Sequence, residues 1–276
     1  MKQLKLYPFT LFLFIIVNAC QSEETIEKSD NNLIDSVQYT IVTRSKEVGT
    51  CSNENMQCAK IQIQSLDIKS GITDQKAVNI ELDIINEILM IEGNEAATAK
   101  NIDDLIDVLL DEYKNLISTI KDYFLPWEVN YTINVVNNNL GLLTVEINYY
   151  SYRGGAHGNE YIKYVNYNLF DGAKVRVDSA FDMSKEFLSL CEQIFRKKYK
   201  LDAKSSLSES GFYFNADKFY IPDNYYIRDN LLHFIYNRYE IAPYSEGIIE
   251  IQVPLSDVFP YIKSEVLQAF VRKHQT

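Results

Sequence analysis

Residues 127–170 read WEVNYTINVVNNNLGLLTVEINYYSYRGGAHGNEYIKYVNYNLF, and this stretch decides the fold class. It contains three alternating runs rich in β-branched and aromatic residues: Trp127–Asn137, Leu142–Tyr152 and Asn159–Phe170. A period of two marks strands with one face turned to a core. Asn138-Asn139-Leu140-Gly141 separates the first two runs and is a tight-turn signal. Arg153-Gly154-Gly155-Ala156-His157-Gly158 separates the second and third, and Asp171-Gly172 closes the third. Connections this short imply antiparallel hairpins.

Upstream, residues 37–48 and 59–69 alternate and carry Tyr39, Ile41, Thr43, Ile61 and Ile63, a second pair of strands. Two amphipathic helices follow. One spans 74–91 with Val78, Leu82, Ile85 and Leu89 on one face. The other spans 99–123, with Ile102, Leu105, Ile106, Leu109, Tyr113, Leu116, Ile117 and Ile120 in an i, i+3, i+4 stripe that ends before Pro126. Downstream come a helix at 184–199, a polar loop to Gly211, strands near 219–227, 231–241 and 247–254, and a closing helix at 256–272. Strands and helices fall in blocks without a βαβαβ rhythm, so the class is α+β: antiparallel sheets packed with amphipathic helices, in two lobes that the family resemblance given below implies are related. The lobes are read as 37–172 and 173–276, with room for one sheet to run through both.

The chain has 276 residues, 46% hydrophobic and 24% charged, with 27 basic and 38 acidic side chains. That composition excludes a disordered, collagen-like or multi-span membrane protein. The net charge of −11 and the lack of a basic patch argue against nucleic acid as a partner.

Residues 1–19 stand apart. Lys2 and Lys5 precede a twelve-residue apolar run, Leu6–Val17, too short to span a bilayer at roughly 20 residues but suited to a secretory signal. Val17-Asn18-Ala19-Cys20 resembles a bacterial lipobox, which implies lipid attachment at Cys20, a membrane anchor, and a cell-envelope address, outer membrane in particular. Removal of 1–19 takes two lysines and no acid, making the net charge −13. Residues 20–36 are acidic and polar, a tether. Cys51 and Cys58 bracket a polar stretch between two strand-like runs, the expected place for a disulfide in an exported chain. Cys191 lies among Phe187, Leu190, Ile194 and Phe195 at helical spacing, which reads as a buried thiol.

The local chemistry is sparse. The three histidines are His157, His233 and His274, with no HExxH or H-x₃-H pair, so no histidine-based metal site is expected. G-x-S-x-G, Walker A and G-x-G-x-x-G are also missing, and no cofactor is expected. The distinctive segment is Tyr152-Arg153-Gly154-Gly155-Ala156-His157-Gly158, whose glycines permit unusual backbone angles and close approach of a ligand. Of the twenty tyrosines, six fall near it between Tyr149 and Tyr167 and six more between Tyr220 and Tyr244, either as an aromatic ladder within the sheets or as a contact surface.

Gly154-Gly155-Ala156-His157-Gly158 with Asn166–Phe170, Asp171-Gly172 and Asp178–Phe181, and Tyr239–Gly247 (YEIAPYSEG), resemble a bacterial extracytoplasmic family of largely unknown function. That family includes the ectodomain of the RsiV-type lysozyme-sensing anti-sigma factor and the N-terminal, non-catalytic region of PdaC-type peptidoglycan deacetylases. The resemblance covers roughly residues 37–265 and implies a PdaC-like first lobe and an RsiV-like second lobe. Its implied role is non-enzymatic binding of a lysozyme-like protein or a peptidoglycan-related ligand. Tyr152, Arg153, Gly154, Gly155, His157, Tyr239 and Tyr244 are the candidate ligand contacts. The alternatives are a cell-wall glycan hydrolase using His157 with a nearby acid, or a scaffold with no small ligand.

Overall fold

The opening pair of strands is built as its alternation requires. β1 (Gln38–Val48) and β2 (Ala59–Ser70) run antiparallel, with Ala59, Ile61 and Ile63 turned inward. A computed structural model describes residues 35–49, 51 and 57–274; Cys20, the lipobox and most of the tether lie outside these. Cys51 and Cys58 are joined across the hairpin end, with their Cα atoms 5.2 Å apart.

Two helices then cross over, α1 (Asp74–Glu92) and α2 (Ile102–Thr119). Asn101 caps α2, its side chain accepting from the Asp104 N–H at 2.9 Å. This crossover returns the chain to the end of the sheet where β2 begins, so β3 (Trp127–Asn139) pairs with β2 in parallel. The all-antiparallel expectation fails here, because a connection of this length relaxes the hairpin constraint. β4 (Leu142–Arg153), β5 (Asn159–Asn168) and the short β6 (Ala173–Lys174) continue antiparallel, completing a six-stranded sheet in sequence order. Leu140 and Gly141, with φ of 53° and 76°, form the β3–β4 turn.

The helices cover one face of this sheet. α2 buries the anticipated stripe of Ile102, Leu105, Ile106, Leu109 and Tyr113. α1 is rotated from expectation: Ala77, Ile80, Ile84 and Ile88 are buried, whereas Val78 and Leu82 are exposed. Its sequence offers adjacent apolar rows, and packing against the sheet selects the isoleucine one.

The second lobe has its own core. α3 (Val177–Ala180) and α4 (Lys185–Lys198) are followed by β7 (Tyr225–Arg228), β8 (Leu231–Tyr236) and β9 (Ile249–Pro254), a separate three-stranded sheet. β7 and β8 are shorter than the alternation suggests. The closing helix is split into α5 (Leu255–Val258) and α6 (Glu265–His274) around Pro260. Phe181, Phe187, Phe195, Phe234, Leu267 and Phe270 fill this core, and Cys191 is buried within it. Burial pushes the Cys191 thiol up to about 12.

No single sheet runs through both lobes. Instead two buried asparagines close the open edge of β5. Asn237 Oδ1 accepts the Ile162 N–H at 2.8 Å, and Asn224 Oδ1 accepts the Tyr164 N–H at 2.8 Å. Asn224 Nδ2 donates to the Ile162 carbonyl at 2.8 Å. Side-chain amides thus satisfy an edge that would otherwise recruit another strand. The described residues form one compact unit.

Candidate functional site

α1 ends where β4 ends, and the glycine loop 154–158 closes the corner between them. The result is an open cleft of about 370 Å³ lined by Ile91, Glu92, Tyr149, Ser151, Arg153, Gly155, His157 and Asn159. Tyr149, Ser151 and Arg153 alternate along β4, so all three face this side.

Glu92 anchors the wall. Its side chain is 1% exposed and pairs with the Arg153 guanidinium, itself 17% exposed. Tyr131 Oη donates to the other carboxylate oxygen at 2.9 Å. Tyr149 Oη donates to Ser151 Oγ at 2.8 Å, and its ring lies 4.7 Å from that of Tyr131. Arg153 also sits over the Trp127 ring at 5.6 Å. Burial, with the Glu92 charge adding to it, holds the Tyr131 and Tyr149 phenols well above their ordinary pKa, so both remain donors.

Gly154 is required at this corner. Its φ is +80°, and a Cβ there would fall 2.3 Å from Tyr123 Oη. Gly155 lines the cleft itself, and a Cβ there would meet nothing nearer than the His157 carbonyl oxygen at 3.7 Å.

His157 and Tyr244 stack with ring centroids 3.9 Å apart, and Tyr244 Oη donates to the Gly158 carbonyl at 3.0 Å. The Arg238 guanidinium also packs on Tyr244, 4.3 Å from its ring centroid. Tyr239 is 59% exposed, holds φ of +65°, and lies 5.6 Å from Tyr244. The two stretches singled out in the sequence therefore meet in space. Tyr152 does not join them at the cleft: it follows Ser151 on β4 and projects to the opposite face of the sheet. Tyr239 and Tyr244 flank the loop without lining the cleft.

Glu92, Tyr131, Ser151 and Asn159 escaped the sequence reading. A signal for Glu92 existed: Ile80, Ile84 and Ile88 mark the buried row at steps of four, and the next step is an acid.

Both Glu92 oxygens are engaged, Ser151 Oγ accepts from Tyr149 Oη, and His157 Nδ1 contacts the Gly158 carbonyl at 3.0 Å. His233 is held between Glu250 Oε1 at 2.8 Å and the Arg228 carbonyl at 3.2 Å, a structural histidine. Among the described residues no group of three or more metal-ligating side chains is assembled, and no helix is long and apolar enough to cross a membrane.

Residues 52–160 match the family model described as deacetylase PdaC, and residues 177–256 match that of DUF3298, a protein family of unknown function. The fold is similar to the crystal structure of a DUF3298 family member from Bacteroides fragilis, with a TM-score of 0.69 and 16% identity over 87% of this chain and 99% of that one. A DUF3298 family protein from Pseudomonas aeruginosa is similar with a TM-score of 0.60 and 17% identity, over 85% of this chain and 98% of that one. No curated protein sequence matches the chain.

Proposed function

We propose that this chain, a PdaC-type region followed by a DUF3298 region, is a non-enzymatic module that binds a peptidoglycan fragment at the cell envelope, held there by lipid on Cys20. The observation that carries the reading is the composition of the cleft. A guanidinium, a phenol, a hydroxyl, an imidazole and an amide converge on about 370 Å³, a size within the roughly 300–1,000 Å³ range of ligand sites. Arg153, paired with Glu92, fixes the wall of the cleft, while Ser151 and Asn159 offer partners for hydroxyl and acetamido groups. The name of the matched deacetylase family supports the same ligand chemistry, and the lipobox-like segment supports the address. A hydrolase is not favoured, because the one acid in the cleft is committed to Arg153 and Tyr131.

Calorimetry with a soluble disaccharide-peptide muropeptide tests the proposal, with hen-type lysozyme titrated in parallel. Gly155→Leu is expected to fill the cleft while the backbone accepts it, and to weaken muropeptide binding at least tenfold; His157→Ala is expected to weaken it severalfold. Absence of muropeptide binding to the wild type, or tight lysozyme binding insensitive to both variants, contradicts the proposal.

A further inference from the structure

The helices cover one face of the six-stranded sheet, and its other face is built differently. Asn130, Tyr150 and Glu160 are register partners across β3, β4 and β5, and Thr132 lies across from Asn148, which pairs with Ile162. These six side chains, closed over by Ile248 from the second lobe, line a groove of about 230 Å³.

Asparagine is a poor strand former, so each one in this sheet calls for a reason. Most have it. Asn134 and Asn148 donate to Glu146, Asn137 donates to the Ile227 carbonyl, and Asn138 holds Val37. Asn130 is different: its Oδ1 is fully buried and has no hydrogen-bond partner among the described residues. An acceptor without a partner, enclosed in the wall of a groove, calls for a reason, and a donor from outside the chain supplies one if the amide turns toward the groove.

The rest of the groove narrows what that donor belongs to. Glu160, its one charged side chain, already accepts from Arg238 at 3.0 Å, so the site does not call for a charged ligand. The Tyr150 ring is held against Gly158, where a Cβ would come within 2.6 Å of it, and is still 37% exposed. A fixed, accessible phenol ring is a platform for the apolar face of a cyclic ligand. Ile162 and Ile248 offer an apolar corner to a methyl group.

We infer that this open sheet face is a binding site for a neutral N-acetylhexosamine ring, stacked on Tyr150 with its acetamido N–H donated to Asn130 Oδ1 as that amide turns into the groove. It lies on the opposite face of β4 from the Arg153 cleft. It extends the glycan reading of that cleft to a second sugar-binding position, yet rests on different residues.

The probe is di-N-acetylchitobiose, with cellobiose, which lacks the acetamido group, as the comparison. Titration followed by amide NMR is expected to show saturable shifts at Asn130, Asn148 and Tyr150 with the first sugar and at least tenfold weaker binding of the second. Tyr150→Ala is expected to lower chitobiose affinity at least tenfold, and Tyr213→Ala, at an exposed tyrosine elsewhere, to leave it unchanged. Asn130→Leu, close in shape, removes the open acceptor, so it is expected to raise the urea midpoint while abolishing binding. A merely structural asparagine would give the opposite stability change. Equal binding of the two sugars, shifts elsewhere, or an Asn130→Leu protein that still binds overturns the inference. Muropeptide binding that Gly155→Leu abolishes, with no chitobiose binding, overturns this site alone and leaves the cleft standing.

Discussion

Arg153 is the residue on which the cleft depends most. It neutralises a carboxylate that is 1% exposed, and removing one partner of a buried pair strands the other at a cost of about 3–5 kcal/mol. Arg153→Met is therefore expected to lower unfolding stability by about that amount, and Glu92→Leu in the same chain to restore much of it, as measured by urea denaturation. Equal stability of the wild type and Arg153→Met would show the pair to be solvated. Gly154 fails differently. Gly154→Ala forces a left-handed backbone on a residue with a Cβ and drives that atom toward Tyr123 Oη, so a loss of about 1–3 kcal/mol is expected. The glycine loop was legible in the sequence because three glycines around a histidine interrupt two alternating runs, and such a break marks a tight connection. Glu92 was not, because its role depends on where α1 sets its face against the sheet.

At the level of elements, the asparagine seam between β5 and the second lobe takes the place of a continuous sheet. Asn224→Ala leaves the Tyr164 N–H without a partner, at a cost of about 1–3 kcal/mol when buried, while the Ile162 carbonyl keeps its bond from Asn237 Nδ2. The variant is expected to unfold at lower urea and to exchange the Tyr164 amide faster; an unchanged exchange rate would argue against the seam. Strands with strict alternation and α2 with its single apolar stripe were readable from sequence, since period and burial coincide. The face of α1 was not, because its apolar rows adjoin. Nor was the parallel β2–β3 pairing: alternation identifies a strand but carries no information about its neighbour's direction after a long crossover. The short β7 and β8 reflect aromatic residues packed in loops rather than ladders, as where Phe214 and Phe219 lie near Phe195.

For the whole molecule, its tyrosines set the response to pH. Burial first, with nearby carboxylates adding to it, raises Tyr131, Tyr167 and Tyr236 well above the ordinary value, and Tyr161 and Tyr226 to about 12. A phenol whose folded pKa is raised adds stability that is complete below its unfolded pKa near 10 and is lost as pH rises past it. The protein is expected to unfold cooperatively above about pH 10, with phenolate absorbance appearing together with the loss of circular dichroism; gradual ionisation without unfolding would contradict this. In acid the relevant groups are Glu250 and Glu146. The His233 hydrogen bond leads in lowering Glu250. Burial alone would raise Glu146, but bonds from Tyr164, Asn148 and Asn134 outweigh it and lower its pKa. Their contribution is present above the ordinary carboxylate range and fades below it.

The cleft between α1, β4 and the glycine loop is proposed to receive a cell-wall fragment. Amide chemical-shift mapping of the isotope-labelled protein with a saturating muropeptide tests it directly. The largest shifts are expected at Ser151, Arg153, Gly155, His157 and Asn159, moving together along one binding curve. Silence at these five amides, or shifts confined to the second lobe, would contradict it.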